Sequence, residues 1–271
     1  MKTRIISAAI LVPILFLLVL VAPVVVAAVV LGVLLAIAAY ELLYRTGLVK
    51  HPRLVIYSCA MAFAVCMWSY LGAIRAYFEI LLLVFWLLLF AEMMLDHVKV
   101  RFEMLAMCFL AGAGIPYLLS SLIRILNLGV GRYVILIPFV VAFMSDSGAY
   151  FVGLKFGHHK LAPVVSPNKT IEGAVGGVLC AMISMLLYAL ILDLLPGGLR
   201  VNYALALLYG FAGSLIGIFG DLSFSVVKRQ TGVKDYGNLI PGHGGVLDRF
   251  DSVTTVAPAM EVLLLLLPMV A

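Results

Sequence analysis

The 271-residue chain is 65% hydrophobic, only 11% charged, and carries a formal net charge of +5. Soluble domains are roughly one quarter charged, so this composition excludes a water-soluble globule. In so apolar a chain the basic excess reads first as the Lys/Arg bias that orients membrane helices, and no nucleic-acid partner is expected.

Lys2 and Arg4 precede an apolar run that looks like a signal peptide. No small-residue cleavage site follows cleanly and a second apolar run comes at once, so the run is read as a retained first helix. Breaks at charges, glycines and prolines predict spans near 5–21, 24–44, 54–71, 78–95, 104–126, 133–152, 172–194, 203–220 and 252–270. A bilayer core of about 30 Å takes roughly 20 helical residues, and these runs are too long and unalternating for barrel strands. The expected fold is an all-α polytopic integral membrane helical bundle of about nine spans. If the break at Ala22-Pro23 is only a kink, the count is eight. Cys59, Cys66, Cys108 and Cys180 all fall inside apolar runs without metal-ligand spacing and read as packing.

With the N-terminus cytoplasmic, alternation places 14 of the 18 Lys and Arg residues on one side, among them Arg45, Lys50, Lys99, Lys155, Lys169, Lys228, Lys234 and Arg249. Residues 1–130 are expected to supply packing, lipid access or oligomer contacts. Residues 131–271 form the expected catalytic region, with cytoplasmic loops at 153–171 and 221–251.

In the sixth span, Asp146 sits among Ser145, Ser147 and Gly148. A carboxylate in a membrane helix costs about 2.5–3.5 kcal/mol on insertion scales and faces a cavity or a partner. It reads as a metal or ion-pair site, the alternative being a structural pair with a nearby base. In Ser166-Pro-Asn-Lys169-Thr170-Ile-Glu172-Gly173, Thr170 caps the seventh span and Glu172 suits its first turn. Lys169 then stands beside free helix N–H groups, an arrangement that binds phosphate. The segment 221–251 concentrates Asp221, Asp235, Asp248 and Asp251 with Lys228, Arg229, Lys234, Arg249 and His243. Carboxylate oxygens without Cys or paired His suit a hard cation such as Mg²⁺, and the neighbouring bases suit the phosphates it bridges. Gly213 and Gly217 form a small-residue face for helix packing.

The run Ser225-Val-Val-Lys228-Arg229, then Lys234-Asp235-Tyr-Gly237, then Ile240-Pro241-Gly-His243-Gly244-Gly245-Val-Leu-Asp248-Arg249-Phe-Asp251 resembles the signature of the phosphatidate cytidylyltransferase (CDP-diacylglycerol synthase) family. The Asp146 and Lys169 segments are similar to a second block of that family. The resemblance implies cytidylyl transfer from CTP to phosphatidic acid in phospholipid biosynthesis, dependent on Mg²⁺ and a possible second cation, at the cytoplasmic face of a bacterial inner membrane. It implies Asp221 and Asp248 as leading metal ligands, with Asp251 and Asp146 next. Lys169 and Arg249 join the catalytic set; Ser225, Lys228, Arg229, Lys234, His243, Gly244 and Gly245 are implied for substrate. A homodimer is left open. Two rival classes share the carboxylates: a different lipid-linked kinase or phospho-sugar transferase, and a cation-coupled transporter. The transporter would place them near the midplane of repeated halves, and no repeat is visible.

Overall fold

The computed structural model describes residues 2–72, 75–195, 199–240, 242 and 244–270, with residues 2–8 and 75 as backbone only. The helices are α1 (Lys2–Phe16), α2 (Val24–Tyr40), α3 (Pro52–Leu71), α4 (Arg75–Leu95), α5 (Phe102–Phe109), α6 (Ile115–Leu119), α7 (Ser121–Leu126), α8 (Gly131–Val134), α9 (Ile137–Phe156), α10 (Ile171–Leu194), α11 (Tyr203–Gln230), α12 (Leu247–Phe250) and α13 (Val253–Leu266). Short π-helical turns follow α1, α2 and α5, so Val24–Arg45 and Phe102–Leu126 each run as one apolar helix. Among the described residues seven helices are long and apolar enough to cross a membrane, and two more, Ala9–Val21 and Val253–Leu266, are apolar but shorter. Every predicted span coincides with one of these nine, and the protein is an all-α polytopic membrane protein.

The chain divides into two compact units, the first comprising residues 1–127 and 230–250, the second 128–229 and 251–271. In the first, α2 packs along α3. Small residues on α2, including Ala27, Ala28, Gly32 and Ala39, are buried. Gly32 lies against Phe63 and Cys66 of α3, and the Ala28 carbonyl accepts from the Cys66 thiol at 3.4 Å. The three-and-four spacing of the α2 residues keeps one stripe buried. Pro52 opens α3 at its first turn and Gly72, with φ +56°, closes it. On α4, Ile80, Leu83, Val84 and Leu87 stay exposed, the condition of a lipid-facing surface.

In the second unit α9 and α10 are packed by glycine. A Cβ at Gly176 would strike the Val152 side chain, and one at Gly177 the Ser145 carbonyl oxygen. On α11, Gly213 lies against Val141 and Met260, and Gly217 against Val256, as the small-residue face predicts. Gly176→Val should therefore lower the detergent-solubilised protein's thermal midpoint, with an overpacking cost of about 1–3 kcal/mol. Gly129→Ala, where a Cβ meets nothing within 4 Å, is the control. Equal midpoints for the two variants would contradict the close α9–α10 contact.

Two expected boundaries are corrected. The 153–171 segment is not a plain loop. It contains the end of α9 and a hairpin of β1 (Lys160–Ala162) with β2 (Ser166–Thr170), antiparallel with Lys160 opposite Thr170. The 221–251 segment begins as helix, because α11 runs on to Gln230. Charged side chains end an apolar run without ending a helix. The chain turns only after Thr231, at Gly232 with φ +69°.

Candidate active site

The second unit holds a cleft of about 500 Å³, formed by α9, the hairpin, α10 and α11. Its polar lining includes Asp146, Asp221, Lys160, Asn168 and Lys169, and its apolar lining includes Tyr150, Leu154, Leu161 and Ile218. Tyr150 and Leu154 are 64% and 74% exposed. A lining that combines charged groups with exposed apolar side chains suits a ligand with a phosphate head and a hydrocarbon body. The volume lies within the usual range for small-molecule sites, about 300–1,000 Å³.

Local structure fixes each charged group. Thr170 accepts a hydrogen bond from the Gly173 N–H at 3.1 Å and starts α10, as its residue type predicts. Lys169, one residue earlier at the end of β2, is thereby held at the helix entrance, and its ammonium donates to Asp221 Oδ2. Asp221 Oδ1 accepts from the Ser225 hydroxyl at 3.4 Å. Asp221, Ser225 and Lys228 fall on one face of α11 by their spacing of four and three. Lys228 pairs with Asp251 at 3.7 Å, both side chains largely buried. Ser252 donates its hydroxyl to Asp146 Oδ2 at 3.4 Å. Arg229 donates through Nε to the Val165 carbonyl at 3.2 Å, tying the hairpin tip to α11. Glu172, expected only to complement the helix start, also accepts from the backbone N–H groups of His158 and His159 and meets His159 Nδ1 at 2.6 Å.

Asp251 reports the electrostatics. Burial, and then the neighbouring Asp221 and Asp146 carboxylates, push its pKa up to about 7 against the pull of Lys228. Asp251 thus feels two other carboxylates as well as the ammonium of Lys228. Asp146, Asp221 and Asp251 offer only oxygen donors, the donor type that a hard divalent cation takes. Among the described residues no three His, Cys, Asp or Glu side chains already converge as a ligand cluster, and Lys169 and Lys228 hold two of the three carboxylates.

The rest of the signature belongs to the first unit. Asp248 is 4% exposed, and its Oδ2 accepts from the backbone N–H groups of Tyr236 and Gly245 at 2.8 and 2.9 Å. Gly244 has φ +85°, and Ile240 donates to its carbonyl at 2.9 Å. Lys234 and Arg249 are exposed in this same loop, and His243 lies outside the described residues. The second unit therefore gathers Asp146, Lys169, Asp221, Ser225, Lys228, Arg229 and Asp251, and the first gathers Lys234, Gly244, Gly245, Asp248 and Arg249.

The description of the cytidylyltransferase family matches residues 2–267. This chain belongs to that family. It is 47% identical over 134 residues to the phosphatidate cytidylyltransferase of Staphylococcus epidermidis, covering 49% of each chain. Over 135 residues it is 45% identical to that of Staphylococcus haemolyticus and 44% identical to that of Staphylococcus aureus, covering 50% of each chain. The chain spans about half the length of the curated relatives it matches.

Sequence reasoning passed over four polar residues of the family's chain that the structure singles out. Lys160 and Asn168 line the cleft and Ser252 reaches Asp146. Glu41, in the second span, reaches the signature loop. Only Glu41 carried a signal of its own, a carboxylate inside an apolar run.

Proposed function

We propose that the protein transfers a cytidylyl group from CTP to phosphatidic acid, giving CDP-diacylglycerol and pyrophosphate. The observation that carries this reading is a cleft lined both by Lys160, Lys169, Asp146 and Asp221 and by exposed apolar side chains such as Tyr150 and Leu154. The relatives' name supports it.

Phosphatidic acid's phosphate, with a second pKa near 6 by analogy with phosphoserine, is largely dianionic at pH 7. One of its oxygens forms the new bond to the α-phosphorus of CTP. The bond from that phosphorus to the bridging oxygen breaks, and pyrophosphate leaves with the electron pair. No proton has to be removed from the nucleophile, so no general base is assigned. The obstacle is repulsion between anions, and the work of the protein is positioning and charge stabilisation. Lys169 and Lys160 would hold phosphate oxygens at the cleft, and its exposed apolar side chains would keep the acyl chains at the bilayer. Asp146, Asp221 and Asp251 would hold Mg²⁺, which when bound offsets triphosphate charge and orients its oxygens. Asp248, Arg249 and His243 keep the roles that the family signature suggests.

Purified protein in lipid nanodiscs should convert labelled CTP and phosphatidic acid to a CDP-lipid with Mg²⁺ and not with EDTA. Label passing instead to a polyprenol or sugar-lipid acceptor would replace this reading with one of its rivals.

The reaction is assigned to the cytoplasmic face of the bacterial inner membrane. In a background lacking native cysteines, single cysteines near Lys50, Lys160 and Lys234 should resist an impermeant thiol reagent applied to intact cells. Those near Arg75 and Arg200 should be labelled. Labelling at Lys234 from outside would invert the topology.

A further inference from the structure

Glu41 is a carboxylate within a membrane-spanning helix, yet it is only 3% exposed and lies outside the cleft just described. Such a group needs partners. It finds them in the loop: Oε1 accepts from the Val246 N–H at 3.1 Å and Oε2 from the Leu247 N–H at 3.0 Å. These two residues immediately precede Asp248 in the signature. Two further glycines of that signature make room for the same carboxylate. A Cβ at either Gly237 or Gly245 would collide with Glu41. Four residues further along the helix, Arg45 donates to Asn238 Oδ1 at 3.0 Å, a second tie to the loop. Glu41–Arg45 is itself a π-helical turn, a local irregularity that recurs at functional sites.

We infer that Glu41 is a positioning residue for the signature loop: its carboxylate fixes the backbone that presents Asp248 and Arg249. Both oxygens are used, so charge and reach matter together. Gly237 and Gly245 are glycine because the carboxylate occupies the space a side chain would need. An uncharged acceptor in that place would leave one loop N–H facing an amide NH₂.

The loop part of this inference stands without the chemistry, while its effect on turnover rests on the cytidylyl-transfer reading. The test uses the full chain in nanodiscs. Glu41→Gln should speed hydrogen exchange at the Val246 and Leu247 amides by about tenfold or more, with the amides of α3 unchanged. In the same variant kcat for CDP-lipid formation should fall about tenfold or more while KM for CTP stays within about threefold, the pattern of a lost transition-state arrangement. Glu103→Gln, on an exposed carboxylate paired with Arg101, is the control. Unchanged loop exchange in a folded Glu41→Gln protein would overturn the inference. If wild-type protein makes no CDP-lipid, the functional reading fails and the exchange result still decides the loop.

Should Glu41→Gln not fold, the pair can be probed from the other side. Gly245→Ala places a methyl group against the carboxylate, and Glu41→Asp withdraws that carboxylate by one carbon. The double variant should be less impaired than the product of the two single losses, as coupled contacting residues are. Independent, multiplying losses would overturn the inference.

Discussion

Asp221→Asn should lower CDP-lipid formation by at least about 10³-fold, the scale of losing a charge that acts on the transition state. Asn preserves the side chain's size and its ability to accept from Ser225. It removes the negative charge with which Lys169 pairs and one of the carboxylates assigned to the cation. The same substitution has a second readout that needs neither substrate nor metal. Asp221 helps to hold the Asp251 pKa at about 7, against an ordinary value of 3.8. Deleting its charge should move that pKa down, so Asp251 in EDTA-treated protein should lose its proton at lower pH than in the wild type. Infrared detection of the protonated carboxyl group follows this directly. Asp193→Asn, which alters only an exposed carboxylate bonded to Tyr203, should change neither quantity. A normal rate in Asp221→Asn would make Asp221 a structural counter-ion of Lys169.

At Asp248 two substitutions should separate shape from charge. Asp248→Ala deletes the oxygen that accepts from the Tyr236 and Gly245 N–H groups, taking that acceptor from both. At about 1–3 kcal/mol for each, the loop should open, and the protein should lose both hydrogen-exchange protection at these amides and its activity. Asp248→Asn keeps one oxygen that can accept both bonds. It should therefore keep most of the protection while activity falls by about 10²-fold or more, if the carboxylate charge serves the reaction. Normal turnover in Asp248→Asn would show that this residue forms the loop and nothing else, and the metal role suggested by the signature would be withdrawn.

The spans were legible because each is a long apolar run, and a bilayer leaves helices few alternatives. Their ends were not. Hydropathy closes the span at Asp221, although α11 continues for nine more residues to Gln230. A hydropathy boundary marks where lipid stops, whereas a helix boundary marks where the backbone can no longer bond to itself. The site was legible in residue type: carboxylates and bases crowded where solubility does not require them. Partnership was less so. The sequence suggests a phosphate contact for Lys169 at a helix terminus, but nothing near it in the chain points to the bond its ammonium makes to Asp221, 52 residues away in sequence. The role of Glu41 is hidden for the same reason. Nothing local in the second span points to backbone donors supplied by the far end of the chain.

That separation has a consequence for biosynthesis. Glu41 and its partner Val246 are 205 residues apart in sequence. At ribosomal rates of about 5–20 residues per second, roughly 10–40 s pass between synthesis of the two. Throughout that interval the second span already exists with a carboxylate whose native partners do not. The first unit therefore cannot be completed in the order in which it is made. It is finished retroactively, after the whole of α8–α11 has emerged, and a chain released before residue 246 would leave Glu41 without the amides that satisfy it in the native fold.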